Sequence, residues 1–199
     1  MSTNISGKLI SIEGIDGCGK DTQVKRISNY LDKKGHEVMI YNFPKYESPI
    51  GHCISDALEQ PNYSPYALQL LFSADRAQQF QSVISDLSYG KTVLTSRSKW
   101  SSYVYAVSRG LPAQWAENIE TFIQESDLTF HLDIDVDTSV ARTGGRDVLE
   151  RDKLLLERCR LEYTELANKF SHWITVDGTV SSDFVFAAIV EILTEKYRV

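Results

Sequence analysis

LISIEGIDGCGKDT, residues 9 to 22, sets an apolar strand directly before three glycines, a lysine and the start of a helical stretch. Glycines at 14, 17 and 19 let backbone N–H groups converge on an anion, the helix start adds positive potential, and Lys20 reaches toward terminal phosphates. The segment therefore reads as a phosphate-binding loop made of Gly14, Gly17, Cys18, Gly19, Lys20, Asp21 and Thr22. In the pattern G-x-x-x-x-G-K-[ST], the residue after the lysine is a hydroxyl that ligates Mg²⁺. Here that place is taken by Asp21, and Thr22 comes one position late. A carboxylate there either binds the metal directly or repels the phosphates.

Outward from this loop, short apolar runs alternate with longer helical stretches, the order of a parallel sheet with helices on its faces. The runs are Leu9 to Ile12, Val38 to Tyr41, Thr92 to Thr95, Leu128 to Leu132 and Trp173 to Val176. Spacing predicts helices over 20–34, 65–87, 113–124, 151–170 and 182–196, with a short one after Asp137. No repeat, low-complexity run or linker interrupts the chain, so one domain over residues 1–199 is expected.

The 199 residues carry 21 basic and 27 acidic side chains, a net charge of −6. A nucleic-acid duplex or an anionic membrane calls for a basic surface, so neither partner is expected. Any bound anion must be held by a few local cations. Cys18, Cys53 and Cys159 form no CxxC pair and describe neither a disulfide framework nor a zinc site. The start, MSTNISGK, lacks the charged and then apolar order of a signal peptide, and no apolar run approaches the ~18 residues of a membrane span. A soluble, cytoplasmic protein is expected.

Further along, five ordered segments resemble the thymidylate kinase family of P-loop nucleoside monophosphate kinases. IEGIDGCGKDTQ (12–23) is similar to the family's opening strand, loop and helix, and FPKYESPIG (43–51) to its acceptor-site loop. LLFSADR (70–76) is similar to its base-binding helix, and TSRSKWSSYVYA (95–106) to its DRYxxSxxAYQ segment. DLTFHLDIDVDTSVAR and TGGRDVLE, together 127–150, are similar to its last inner strand and mobile lid. The resemblance implies a three-layer α/β fold: a five-stranded parallel sheet, helices on both faces and a short lid at about 142–152. It also implies transfer of the γ-phosphate of ATP to dTMP with Mg²⁺, in a homodimer.

Residue chemistry supports several of the implied roles. Phe72 and Arg76 are four apart and share a helix face, so a pyrimidine can stack on the ring while the guanidinium donates to a base carbonyl. Arg97 follows an apolar strand at the sheet edge where open α/β folds bind ligands, and its fork suits a phosphate. Lys45, in the loop with Phe43, is a second cation for the acceptor phosphate. Arg142 and Arg146 flank Thr143, Gly144 and Gly145, and in the resemblance such lid arginines meet charge growing on the transferred group. The resemblance further gives the acceptor 3′-hydroxyl to Asp16 and the base edge to Arg76 with Ser101, while Tyr103 or Tyr105 crowds the sugar 2′ position.

A second departure answers the first. The aspartate of the family's DR pair is Ser96 here, so a carboxylate and a hydroxyl have changed places between positions 21 and 96. Asp21 and Ser96 are expected to face one metal from opposite sides. Two other functions stand beside thymidylate phosphorylation. One is a kinase for another deoxynucleoside monophosphate or for a nucleoside, whose hydroxyl would need Asp16 or Glu13 as a base. The other is a nucleotide-binding protein with a spoiled metal site. Finally, the helix start and Lys20 would lower the Cys18 pKa and make activity sensitive to oxidation.

Overall fold

The computed structural model describes residues 7–60 and 62–197; residues 1–6, on which the expectation about a leader rests, lie outside them. The elements are β1 (Lys8–Glu13), α1 (Lys20–Lys33), β2 (Val38–Asn42), α2 (Pro49–Leu58), α3 (Pro65–Ser88), β3 (Thr92–Ser96) and α4 (Lys99–Ser108). They continue as α5 (Ala113–Asn118), β4 (Leu128–Asp133), α6 (Val136–Thr143), α7 (Val148–Arg151), α8 (Lys153–Lys169), β5 (Trp173–Asp177) and α9 (Ser182–Tyr197).

The strands form one parallel sheet in the order β2-β3-β1-β4-β5. β1 is central, and it is buried from Leu9 to Glu13 because helices cover both faces. Right-handed crossovers explain the layering. The step from β1 out to β2 carries α1 over one face, and every later step runs back the other way, over the opposite face. Accordingly α1 packs on α9, while α3, α4 and α8 pack in series. Among the described residues, no helix is long and apolar enough to cross a membrane.

Several elements differ from the sequence expectation. The helix expected over 113–124 ends at Asn118, because the next residues are drawn toward α3. There the Ile119 carbonyl accepts from Ser73 Oγ at 2.9 Å and Glu120 turns onto Arg76. The helix expected over 151–170 is α8, which begins two residues later because Asp152 leaves helical geometry and caps it, accepting from Leu155 N at 3.0 Å, and the short helix α7 before it was not expected. α2 and α4 fall in segments where no helix was expected, and both start on a serine cap: Ser48 accepts from Gly51 N and Ser98 from Trp100 N.

Both faces of the two central strands are buried, β1 from Leu9 to Glu13 and β4 from Leu128 to Leu132. Ile12, Phe130 and Leu132 have no exposed surface, nor does Tyr163 from α8. Phe130→Ala is expected to cost about 3–5 kcal/mol by emptying this region, read as a lower urea midpoint with an unchanged m-value.

Candidate active site

The carboxyl ends of β1 and β3 lie side by side, with Ile12 in register with Ser96. From β1 the chain enters the glycine loop, where two glycines sit at positive φ against neighbouring backbone. A Cβ at Gly14 (φ 139°) would come within 2.6 Å of the Leu132 carbonyl, and one at Gly17 (φ 77°) within 2.8 Å of the Ser139 carbonyl. Ser139 Oγ donates to the Asp16 carbonyl at 2.6 Å and ties the loop to α6. Lys20, buried at the start of α1, folds its Nζ back onto the carbonyls of Gly14 and Ile15 at 2.9 and 3.0 Å.

Across the loop, Asp16 gathers the cations. Its carboxylate accepts from Arg97 and from Tyr105 Oη at 2.8 Å, and Lys20 Nζ lies 3.8 Å away. Burial pushes the Asp16 carboxyl up, but Arg97, Lys20 and the two hydrogen bonds outweigh it and bring the pKa to about 2. Arg97 takes the left-handed conformation (φ 73°), which costs a non-glycine residue about 1–2 kcal/mol. It is held there by its N–H on the Ile12 carbonyl at 3.0 Å, by Asp16, and by Tyr105, whose ring centroid lies 5.5 Å from the guanidinium.

Behind Arg97 lies a carboxylate that the sequence did not single out for positioning. Glu13 has no exposed surface and accepts from Ser98 N, Ser98 Oγ, Ser101 Oγ and Tyr163 Oη at 2.6, 2.7, 2.6 and 3.1 Å. Its oxygens are occupied, so Glu13 is in no position to serve as a base for a nucleoside hydroxyl. Ser101 is committed in the same network, and the serine against Arg76 is its neighbour Ser102.

A cavity of about 1010 Å³ runs from this cluster in both directions. On one side Phe43, Lys45, Phe72, Arg76, Ser101 and Tyr105 line it. Arg76 is buried, with Glu120 accepting from its Nε and one terminal nitrogen at 2.7 and 2.6 Å. The backbone N–H of Lys45 donates to both oxygens of Asp75 at 3.2 and 3.1 Å, which ties the loop to α3. Burial raises the Asp75 carboxyl pKa. Glu120 and Asp75 are thus two more positioning residues that motif matching passed over; Asp75 at least stands next to Arg76 in the chain.

On the other side lie Gly17, Gly19, Lys20, Asp21, Thr22, Ser96, Arg142 and Arg146. Ser96 Oγ donates to Asp21 Oδ1 at 2.6 Å, so the exchanged hydroxyl and carboxylate are in direct contact. Among the described residues no cluster of three or more His, Cys, Asp or Glu side chains suits a metal. One carboxylate and one hydroxyl still fit Mg²⁺, which keeps waters and takes the rest of its shell from substrate phosphates. Arg142 donates to the carbonyls of Gly17 and Gly178 at 3.3 and 3.0 Å. Arg146 lies mostly in solvent, its side chain 78% exposed and paired with Glu150 at 3.0 Å, so this conformation does not bring it onto the glycine loop. Arg151 closes the segment by donating to the carbonyls of Gly145 and Arg146 at 2.8 and 2.7 Å.

Two expected loop residues do not face the cavity. Gly14 acts through the space its missing side chain leaves, and Cys18 is buried beneath the loop. The expectation of an acidic Cys18 thiol is corrected: burial pushes its pKa up, and Lys20 and Arg97 do not overcome that. The thiolate needed for ready oxidation is disfavoured.

A family model described as thymidylate kinase matches residues 12–189. A probable thymidylate kinase of Thermococcus gammatolerans is 33% identical over 203 residues, covering 96% of this chain and 97% of its own. A thymidylate kinase of Thermoanaerobacter sp. (strain X514) is 33% identical over 204 residues, covering 97% of this chain and all of its own. The solved structure of thymidylate kinase from Candida albicans superposes with a TM-score of 0.81 at 26% identity, covering 96% of this chain and 93% of that one.

The Asp16 shift gives a pH signature. A carboxyl held at about 2 contributes stability above its unfolded value of 3.8 and loses it as pH falls through about 2. Asp16→Asn is expected to cost roughly 2 kcal/mol at pH 7. In urea unfolding, that gap should close progressively below pH 4.

Proposed function

The chain belongs to the thymidylate kinase family, and from that membership we propose that it transfers the γ-phosphoryl group of ATP to the 5′-phosphate of dTMP, giving ADP and dTDP. The observation that carries this reading is one continuous cavity, with Lys20 and the glycine loop at one end and Phe72 and Arg76 at the other. Arg97 lines it between them. Two nucleotides bound from opposite ends would meet at Arg97.

A phosphate oxygen of dTMP forms the new bond to the γ-phosphorus as the bond to the β-bridging oxygen breaks, and that electron pair leaves on ADP. The acceptor needs no general base, since a phosphate monoester with a second pKa of about 6 is already largely dianionic at neutral pH. Catalysis then consists of alignment and charge neutralisation, each worth several kcal/mol of barrier. Lys20 leaves the loop carbonyls for the donor phosphates, and the fork of Arg97 orients the acceptor phosphate. Asp16 is reserved for the sugar 3′-hydroxyl, with Tyr105 beside it against the 2′ position. Phe72 stacks on the base, Arg76 donates to a ring carbonyl, and Phe43 and Lys45 close the acceptor end.

Arg142 and Arg146 belong to a lid at about 142–152, and Arg146 must leave Glu150 to reach the transferred group. Asp21 and Ser96 would hold Mg²⁺, which would supply neutralisation of charge on the donor phosphates. Residues 1–199 as one domain, a homodimer and a cytoplasmic location, with no nucleic-acid or membrane partner, belong to the same proposal.

An ADP-release assay with ATP and a panel of acceptors tests it. dTMP is expected to give Mg²⁺-dependent turnover with a kcat/KM above those of dCMP, dUMP and thymidine. Equal or higher values for another acceptor reassign the substrate, and ATP binding without turnover on any acceptor leaves only a nucleotide-binding protein. Arg97→Lys, which loses the fork but keeps the charge, should lower kcat/KM for dTMP on the order of 100-fold.

A further inference from the structure

α3 turns one face toward the cavity, and Gln69, Phe72 and Arg76 follow on it at spacings of three and four residues. Phe72 presents a ring, and Arg76 is fixed by Glu120 and Ser102. Gln69 differs from both. It has no exposed surface, yet neither its amide oxygen nor its amide nitrogen has a hydrogen-bond partner. Among the described residues with buried, unpartnered side-chain polar atoms, Gln69 alone lines the cavity. Leaving such a group unpaired is destabilising, and a leucine of similar length would fill the place without that cost. The large majority of buried polar groups in native proteins are paired, and an unpaired one facing a ligand cavity calls for a partner from the ligand.

We propose that the Gln69 amide reads the acceptor base, donating its N–H to a ring carbonyl and accepting from the ring N3–H. The proposal rests on thymidylate as the acceptor and deepens that reading. A pyrimidine-2,4-dione presents a carbonyl, an N–H and a second carbonyl along one edge, and a primary amide carries the matching donor and acceptor together. Arg76 carries donors only, so it can satisfy a carbonyl but not N3–H. The two residues divide the work. Arg76 favours a keto group over the amino group of cytosine, whereas Gln69, which can turn over to meet either base, supplies the affinity that depends on N3.

Calorimetric binding of dTMP and of N3-methyl-dTMP to the full chain and to Gln69→Leu tests the proposal. The parent is expected to bind dTMP on the order of tenfold more tightly than the methylated analogue. Gln69→Leu should lose about that factor for dTMP and little for the analogue, with an unchanged KM for ATP and a Tm no lower than the parent's. Equal affinity of the parent for the two ligands overturns the proposal, as does an equal loss of both in Gln69→Leu. If Gln69→Leu does not fold, the parent's two affinities decide alone. A parent that binds neither ligand removes the thymidylate reading itself and this proposal with it, a result distinct from equal binding of both.

Discussion

The side-by-side placement of β1 and β3 is the constraint on which the site depends. Parallel strands stand about 4.8 Å apart, and the register of Ile12 with Ser96 opens both strands into loops at the same level. Two contacts follow from that placement: Asp16 with Arg97, and Asp21 with Ser96. The left-handed turn at Arg97 is the local cost. A backbone hydrogen bond to Ile12, the Asp16 carboxylate and the Tyr105 ring offset it. The Glu13 network holds Ser98 and Ser101 from behind, so the guanidinium is oriented before any phosphate arrives.

A chain with net charge −6 that binds two polyanions needs its cations held in place and partly neutralised beforehand. Each of three cavity arginines has a carboxylate partner: Arg97 with Asp16, Arg76 with Glu120, and Arg146 with Glu150. Arg142 rests on backbone carbonyls instead. These pairings differ in depth. The Arg76–Glu120 pair is almost wholly buried and bidentate, so it behaves as a fixed part of the wall, and removing either partner would strand the other. The Arg146–Glu150 pair has its arginine in solvent, so it is weak and can exchange for a phosphate. A fixed cation and a movable one are therefore built from the same two side-chain types, separated by burial.

Much of this was legible in the sequence, and the rest was not for identifiable reasons. The five apolar runs match the five strands to within a residue at most ends, because a buried parallel strand is a short, nearly continuous apolar run. The glycine loop and the place of Arg97 after β3 were readable because short motifs fix them locally. α4 was not anticipated: its sequence KWSSYVYAVS is rich in serine and β-branched or aromatic residues, poor helix formers that tertiary packing overrides here. Glu13, Asp75, Gln69 and Glu120 escaped as positioning or base-side residues for a different reason. Their meaning lies in partners, or missing partners, that only the fold reveals: Glu13 meets Tyr163 across 150 positions, and Arg76 meets Glu120 across 44.

The carboxylate of Asp21 and the hydroxyl of Ser96, exchanged between α1 and β3 and in contact at 2.6 Å, would still serve one metal. The most direct measurement is a double-mutant cycle on Mg²⁺-dependent ATP affinity and turnover, using Asp21→Ser, Ser96→Asp and both together. The first variant leaves two hydroxyls and the second sets two carboxylates in contact, so each alone should weaken Mg²⁺ dependence, and the second should also lower Tm. The double variant restores one of each and is expected to recover both properties, a coupling well outside additivity. Additive losses in the double variant would rule out a metal shared by positions 21 and 96.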